Sequence, residues 1–131
     1  MKNKLVCLWL DDIRPAPNGY IHAHSVNEAK RIILEAEERG VMKFTLDLDH
    51  DLGDYATDGG DGIELVKWLA ETKRYYEIIL HTMNPVGRQN MQAIIDRYWQ
   101  KWLDELDETD TQVILEHSQK YYDMIRKRKE C

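Results

Sequence analysis

Short apolar runs along the chain alternate with segments of helical periodicity. Leu5 to Leu10 is a continuous apolar run, and Phe44 to Leu48 alternates with a period of two, so both predict strands. Ile78 to Leu80 predicts a third strand, Tyr20 to His24 an edge strand, and Val113 to Leu115 a last one. Strands that alternate with helices predict an α/β fold, with a mostly parallel sheet and helices on both faces.

Helical patterns fill most of the intervals between these strands. Ser25 begins a capping box for a helix that ends at Gly40, and a second helix begins near Gly62. The most regular stripe runs from Met91 to Leu106 with spacings of three and four residues, and Gln119 to Lys129 predicts a last helix.

The segment after the first strand departs from this alternation. It reads Ile13-Arg14-Pro15-Ala16-Pro17-Asn18-Gly19, and two prolines followed by Asn-Gly exclude a full helix. We therefore expect the first helix of the α/β pattern to be reduced or missing.

Size and charge limit the functions that the chain can have. Its 131 residues predict a single domain, residues 1–131, and the net charge of -6 argues against a general polyanion binder. Cys7 and Cys131 have neither metal-ligand spacing nor the pattern of a disulfide framework, which is typical of a reducing cytoplasm. No apolar run approaches the length of a membrane span, so we expect a cytoplasmic protein with no membrane partner.

Acidic residues follow two of the predicted buried strands. Asp11 and Asp12 end the first strand, and Asp49, with Asp51 shortly after it, ends the central one. The carboxyl ends of parallel strands meet at one edge, so these carboxylates are expected to crowd together and to bind a cation. Hard oxygen ligands suit Mg²⁺ or Mn²⁺. As the alternative, Asp11 and Asp12 cap a turn.

Groups suited to a phosphate follow the third strand. Thr82 and Asn84 offer neutral donors, and Arg88 lies on the first turn of the long helix, whose amino end itself favours an anion. Arg14, after the acid pair, is a further candidate for substrate binding. The alternative for Arg88 is a solvated first-turn residue.

Two histidines stand beside these polar groups. His50 and His81 are candidates for general acid or base catalysis, with Asp49 as the third catalytic candidate. The alternatives are a turn residue for His50 and a satisfied core histidine for His81. Asp47 is either a structural acid deeper in the central strand or part of the site.

Three stretches of the sequence, LWLDDIRPAP, LDHDLG and LHTMNPVGRQNM, carry a family resemblance. An acid pair ending a first strand, a central strand ending in Asp and a later strand ending in Thr resemble the receiver domain of two-component signalling. The detailed stretches resemble its divergent branch, the cyclic-phosphate-processing receiver domain. The resemblance implies a three-layer, flavodoxin-like fold with a five-stranded, mostly parallel sheet. It also implies Mg²⁺ binding by Asp11, Asp12 and Asp49, and phosphoryl contact by Thr82.

The function that the resemblance implies is action on cyclic phosphate ends of nucleotides or RNA. We expect metal-assisted hydrolysis of a cyclic phosphate or phosphodiester. Two alternatives remain open: a binding module without turnover, and a response regulator phosphorylated on Asp49. The last strand ends in Glu116-His117, where a receiver has Lys-Pro, and this departure argues against the phosphorylation switch. Tyr121-Tyr122 would be the contact if the chain forms a homodimer.

Overall fold

The computed structural model describes residues 5–105. They form four strands, three α-helices and one short 3-10 helix. In chain order these are β1 (Leu5–Leu10), β2 (Tyr20–Ala23), α1 (Val26–Glu38), β3 (Lys43–Leu48), the 3-10 helix (Gly53–Thr57), α2 (Gly62–Glu71), β4 (Glu77–Leu80) and α3 (Pro85–Glu105).

The strands form one parallel sheet in the order β2-β1-β3-β4. This is the flavodoxin-like order, in which the chain leaves β1 towards one side for β2 and towards the other for β3. The predicted α/β class with a receiver-like parallel sheet is therefore confirmed. The crevice at the carboxyl ends of β1 and β3 is where such a sheet places its ligands.

The link between β1 and β2 contains no helix in residues 11–19, all of which the structure describes. Asp11 instead continues the sheet for one residue, because its backbone N–H donates to the carbonyl of Ala23 at 3.1 Å. The prediction that the first helix is reduced or missing is confirmed.

Alternate strand residues form the hydrophobic core together with all three helices. Leu8, Leu46 and Ile78 are neighbours across three strands on the same face. From the helices, Ile33 of α1, Leu65 of α2 and other apolar residues at helical spacing pack against this face. The described helices thus cover a single face of the sheet.

The opposite face of the sheet is also buried, although the sequence places polar residues on it. Thr45 and Asp47 are each 1% exposed, so β3 is buried on both faces rather than alternating between core and solvent. Thr45 donates to Glu77 on the neighbouring strand at 2.8 Å. Each buried polar group on β3 must therefore find a partner on an adjacent strand.

Several predictions concern residues that the structure does not describe. The fifth strand at 113–115, the last helix at 119–129 and the tyrosine pair at 121–122 lie outside the described residues. The described part of the sheet has four strands, one fewer than predicted. Among the described helices, none combines the length and the apolar character that crossing a membrane requires.

A charged cluster at the amino-terminal end of β4 joins α1 to the segment after α2. Arg74 donates two hydrogen bonds of 2.9 Å to the carboxylate of Glu37, and the Tyr76 hydroxyl donates to the same carboxylate. Burial alone would raise the pKa of Glu37, but the hydrogen bonds from Arg74 and Tyr76 outweigh it and hold this pKa below its ordinary value. Glu37 therefore contributes stability while it is ionised.

We predict that Glu37→Gln lowers the free energy of unfolding by about 1–3 kcal/mol near neutral pH, since Arg74 loses its carboxylate. Because the folded-state pKa of Glu37 is lowered, this contribution is present above the unfolded pKa of about 4.3 and is lost as the pH falls through the folded value. Urea denaturation at pH 7 and pH 3 measures both effects. Glu38→Gln, at the exposed neighbour, is the control and should stay within about 0.5 kcal/mol of wild type. Equal losses in the two variants would contradict the prediction.

Candidate functional site

Three strands deliver polar residues to one edge of the sheet. The parallel hydrogen-bond ladder continues past the strand ends, from the N–H of Asp49 to the Leu10 carbonyl (2.9 Å) and from the N–H of His81 to the Leu48 carbonyl (3.0 Å). Asp11, Asp49 and His81 therefore stand side by side, and one potential ligand atom from each lies within 4.8 Å of the others. The structure thus brings together acids and a histidine that are far apart in the sequence.

An open cavity of about 350 Å³ lies over this edge. All four acids proposed as metal ligands line it, together with Arg14 and Thr82. The complete lining is Asp11, Asp12, Ile13, Arg14, Asp49, Asp51, Gly53, Thr82 and Met83. His50, His81, Asn84 and Arg88 stand behind or beside this lining.

Asp11 is the most heavily bonded of these carboxylates. Its Oδ1 accepts the backbone N–H groups of Ile13 (2.9 Å) and Arg14 (2.8 Å), and its Oδ2 lies 2.9 Å from His81 Nε2. Burial alone would raise the pKa of Asp11, but these hydrogen bonds hold it below its ordinary value. Asp11 thus caps the turn, as the alternative interpretation expected, and also faces the cavity.

The carboxylate of Asp49 is stabilised less by its surroundings than the carboxylate of Asp11. It is 6% exposed, and its carboxylate accepts the N–H of His50 at 2.8 Å and a hydrogen bond from Thr82. Burial raises the pKa of Asp49 above its ordinary value, and the negative charge of Asp11 adds to this shift. The ionised form of Asp49 is therefore costly in the absence of a nearby cation.

Asp12 approaches the cavity from the turn after β1. Its Oδ2 would lie 2.7 Å from a Cβ at Gly53, where the backbone φ is +55°. A side chain at residue 53 would therefore be strained and would also push Asp12 aside. Gly53 leaves room for the Asp12 carboxylate at the wall of the cavity.

His81 is enclosed between two carboxylates and an indole. Its Nδ1 lies 2.6 Å from Asp47 Oδ1, its Nε2 contacts Asp11, and its side chain is fully buried. The Trp9 indole stacks on the ring with centroids 3.8 Å apart and planes within 2°. Each ring nitrogen of His81 thus has a carboxylate partner. With both nitrogens engaged, His81 has none left for a substrate.

His50 is more accessible and has one carboxylate partner. Its Nδ1 lies 2.7 Å from Asp51 Oδ1, and its side chain is 16% exposed. Hydrogen bonding with His50 holds the pKa of Asp51 below its ordinary value, an effect that burial opposes and Asn84 reinforces. A Cβ on Gly87 would lie 2.5 Å from the His50 ring, so this glycine at the start of α3 lets the ring pack against the helix.

The predicted phosphate-binding residues fall into two groups. Thr82 and Arg14 line the cavity, and the Arg14 side chain is 47% exposed. Asn84 instead accepts the N–H of Gly87 at 2.9 Å, which caps α3, and it donates to Asp51. Arg88 donates to the Thr82 carbonyl at 3.0 Å. Asn84 and Arg88 therefore support the cavity wall rather than form it.

Trp9 belongs to the site although no sequence pattern predicted it, and Asp47 had two open interpretations. Asp47 precedes Asp49 by two residues on one strand, so the period of two did place it on the same face, one step deeper. The stacking of Trp9 on His81 has no comparable signal, because it depends on how β1 and β4 are placed relative to one another.

We predict strong energetic coupling between Asp47 and His81, since removal of one partner leaves a buried polar group of the other without its hydrogen bond, which costs about 1–3 kcal/mol. Asp47→Asn and His81→Gln should each be strongly destabilising, while the double variant should lose at least about 1 kcal/mol less than the sum. A double-mutant cycle from urea denaturation measures the coupling. Losses that add within about 0.5 kcal/mol would show that the pair is not coupled.

Comparison with known proteins places the chain in a family. A family model described as "Cyclic-phosphate processing Receiver domain" matches residues 6–97, which include β1 through most of α3 and every predicted site residue. No curated protein and no solved structure showed a significant match. Because the matched segment is well over half of the 131-residue chain, the protein belongs to the family of cyclic-phosphate processing receiver domains.

Proposed function

We propose that this domain hydrolyses a cyclic phosphate on a nucleotide or RNA end with the assistance of a divalent cation. The observation that carries the proposal is the convergence of Asp11, Asp12 and Asp49 on one open cavity, where the charge of Asp49 is poorly compensated. The family description supports the cyclic phosphate as the substrate group.

The donor set fits Mg²⁺ or Mn²⁺, which take carboxylate oxygens and water as ligands. Asp11 and Asp49 both accept hydrogen bonds from neighbouring groups, and Asp12 reaches the cavity wall beside Gly53. Of these acids, Asp49 is the one whose charge burial destabilises. Among the described residues that line the cavity, Arg14 is the cationic side chain, and it is directed towards Asp11. A divalent cation held by these carboxylates would polarise a phosphoryl oxygen of the substrate.

Thr82 and Arg14 are the groups we assign to the phosphate, because both line the cavity. Thr82 is held in place by the N–H of Asn84, which donates to its Oγ1 at 3.1 Å, and by Arg88 on its carbonyl. The amino end of α3 adds a favourable field for an anion. Asn84 and Arg88 therefore position Thr82 for the phosphate, and Asn84 also caps the amino end of α3.

Proton transfer is assigned to His50, with His81 in a positioning role. Asp51 orients His50 by accepting from Nδ1, which leaves Nε2 as the acceptor. A water oxygen forms a bond to phosphorus while one ring ester bond breaks, and His50 accepts the proton of the water. The departing ribose oxygen takes a proton from solvent and His50 releases its proton to solvent, so the product is a phosphomonoester with a free neighbouring hydroxyl. His81 fixes the carboxylate of Asp11 from behind.

We predict that the protein converts 2′,3′-cyclic nucleotides to monophosphates in the presence of Mg²⁺ or Mn²⁺, and that EDTA stops the reaction. Asp49→Asn should lower kcat at least about 100-fold, because the proposed cation site loses a carboxylate ligand. His50→Gln should lower it by about 100-fold or more through loss of the base. Chromatography of the products measures all three effects.

Asp54→Asn is the matched control, because Asp54 is exposed on the neighbouring 3-10 helix and does not line the cavity. Full activity in Asp49→Asn, or hydrolysis that EDTA leaves unchanged, would contradict the proposal. Binding of the cyclic nucleotide without any monophosphate would favour the binding module. A mass increase of one phosphoryl group after exposure to acetyl phosphate, absent in Asp49→Asn, would favour the response regulator.

A further inference from the structure

Three aromatic rings lie in a row at the surface next to the acidic cavity. His22 and His24, on and after β2, stack with ring centroids 4.1 Å apart and planes within 15°. Tyr55 of the 3-10 helix continues the row, with its ring centroid 5.4 Å from that of His24. We call His22, His24 and Tyr55 the ring row.

Both ends of the ring row connect to the wall of the cavity. His22 Nε2 lies 2.8 Å from the backbone oxygen of Asp11. Tyr55 lies on the same short helix as Gly53, which lines the cavity beside Asp12. A ligand with its phosphate in the cavity would therefore have these rings as neighbours.

The ring row is partly exposed to solvent. Tyr55 is 46% exposed and lies outside the hydrophobic core of the described residues, and the half-buried His24 has a side chain that is 40% exposed. Large aromatic side chains at the surface of a ligand cavity are typical of recognition sites, since they offer a flat apolar face at low entropic cost.

We propose that the ring row is a stacking platform for the base of the nucleotide whose phosphate occupies the cavity. This inference rests on the proposed function, and it assigns a binding surface to the nucleobase of that substrate. The net charge of -6 gives the chain little general attraction for phosphates. Stacking would add affinity for the base to the contacts that the cation, Thr82 and Arg14 make with the phosphate, and it tolerates different bases because each has a π face.

The test compares a substrate with a base to one without. Adenosine 2′,3′-cyclic phosphate and glycerol 1,2-cyclic phosphate share the reacting group and differ in the base. Tyr55→Ala should raise KM for the adenosine substrate roughly tenfold, the size of effect that one stacked base gives. The kcat of this substrate, and both constants for the glycerol substrate, should stay near wild type.

Tyr55→Phe is the matched control, because it keeps the ring and should retain wild-type KM. His24→Ala is a second variant and should also raise KM for the adenosine substrate alone. If Tyr55→Ala leaves KM unchanged for both substrates, or raises KM equally for both, the proposed stacking platform is wrong. The proposed hydrolysis is not affected by that result.

A binding measurement separates the platform from the enzyme activity. By calorimetry, adenosine 3′-monophosphate should bind wild type more tightly than inorganic phosphate does, and Tyr55→Ala should remove most of the difference. If wild type hydrolyses no cyclic phosphate but this selective loss occurs, the platform stands and the proposed function fails. If the two ligands bind wild type equally, the platform is overturned.

Discussion

The site depends on one buried arrangement, in which the imidazole of His81 lies between the carboxylates of Asp47 and Asp11 under the Trp9 indole. Two acids and a histidine can be buried together because each ring nitrogen has a carboxylate oxygen as its hydrogen-bond partner. Removal of His81 or of either carboxylate would leave a buried polar group without its partner. This requirement fixes β1, β3 and β4 relative to one another at the edge where the ligand cavity opens.

The sequence predicted the fold well, because its signals are local. Apolar runs followed by acids located the ends of β1 and β3, and the segment with Pro15 and Pro17 predicted the absence of a helix in the β1 to β2 link. What the sequence could not provide is the pairing of side chains from different strands. Asp47 and His81 are 34 residues apart, and their contact follows from the register of β3 with β4. For the same reason, His81, for which catalysis and a satisfied core position were both left open, has both nitrogens engaged within the protein.

The acids at this edge have different environments, and the difference determines which of them remain available to a ligand. Asp47 is engaged by His81, and Asp51 by His50 and Asn84. Once these pairs are formed, the charge that faces the cavity comes mainly from the remaining acids. The histidines thus engage the buried Asp47 and the exposed Asp51 in hydrogen bonds.

The charge that remains after this pairing is concentrated on Asp12 and Asp49, with Asp11 contributing through an oxygen that His81 already contacts. Burial raises the pKa of Asp49, so a bound cation would stabilise its ionised form and, by linkage, would be bound more tightly as the pH rises through that pKa. The rigid turn that Asp11 caps holds Asp12 at the same wall, because the Ile13 and Arg14 amides are fixed by the Asp11 carboxylate. Asp11 therefore contacts the buried His81 behind the cavity and also holds the loop in front of it.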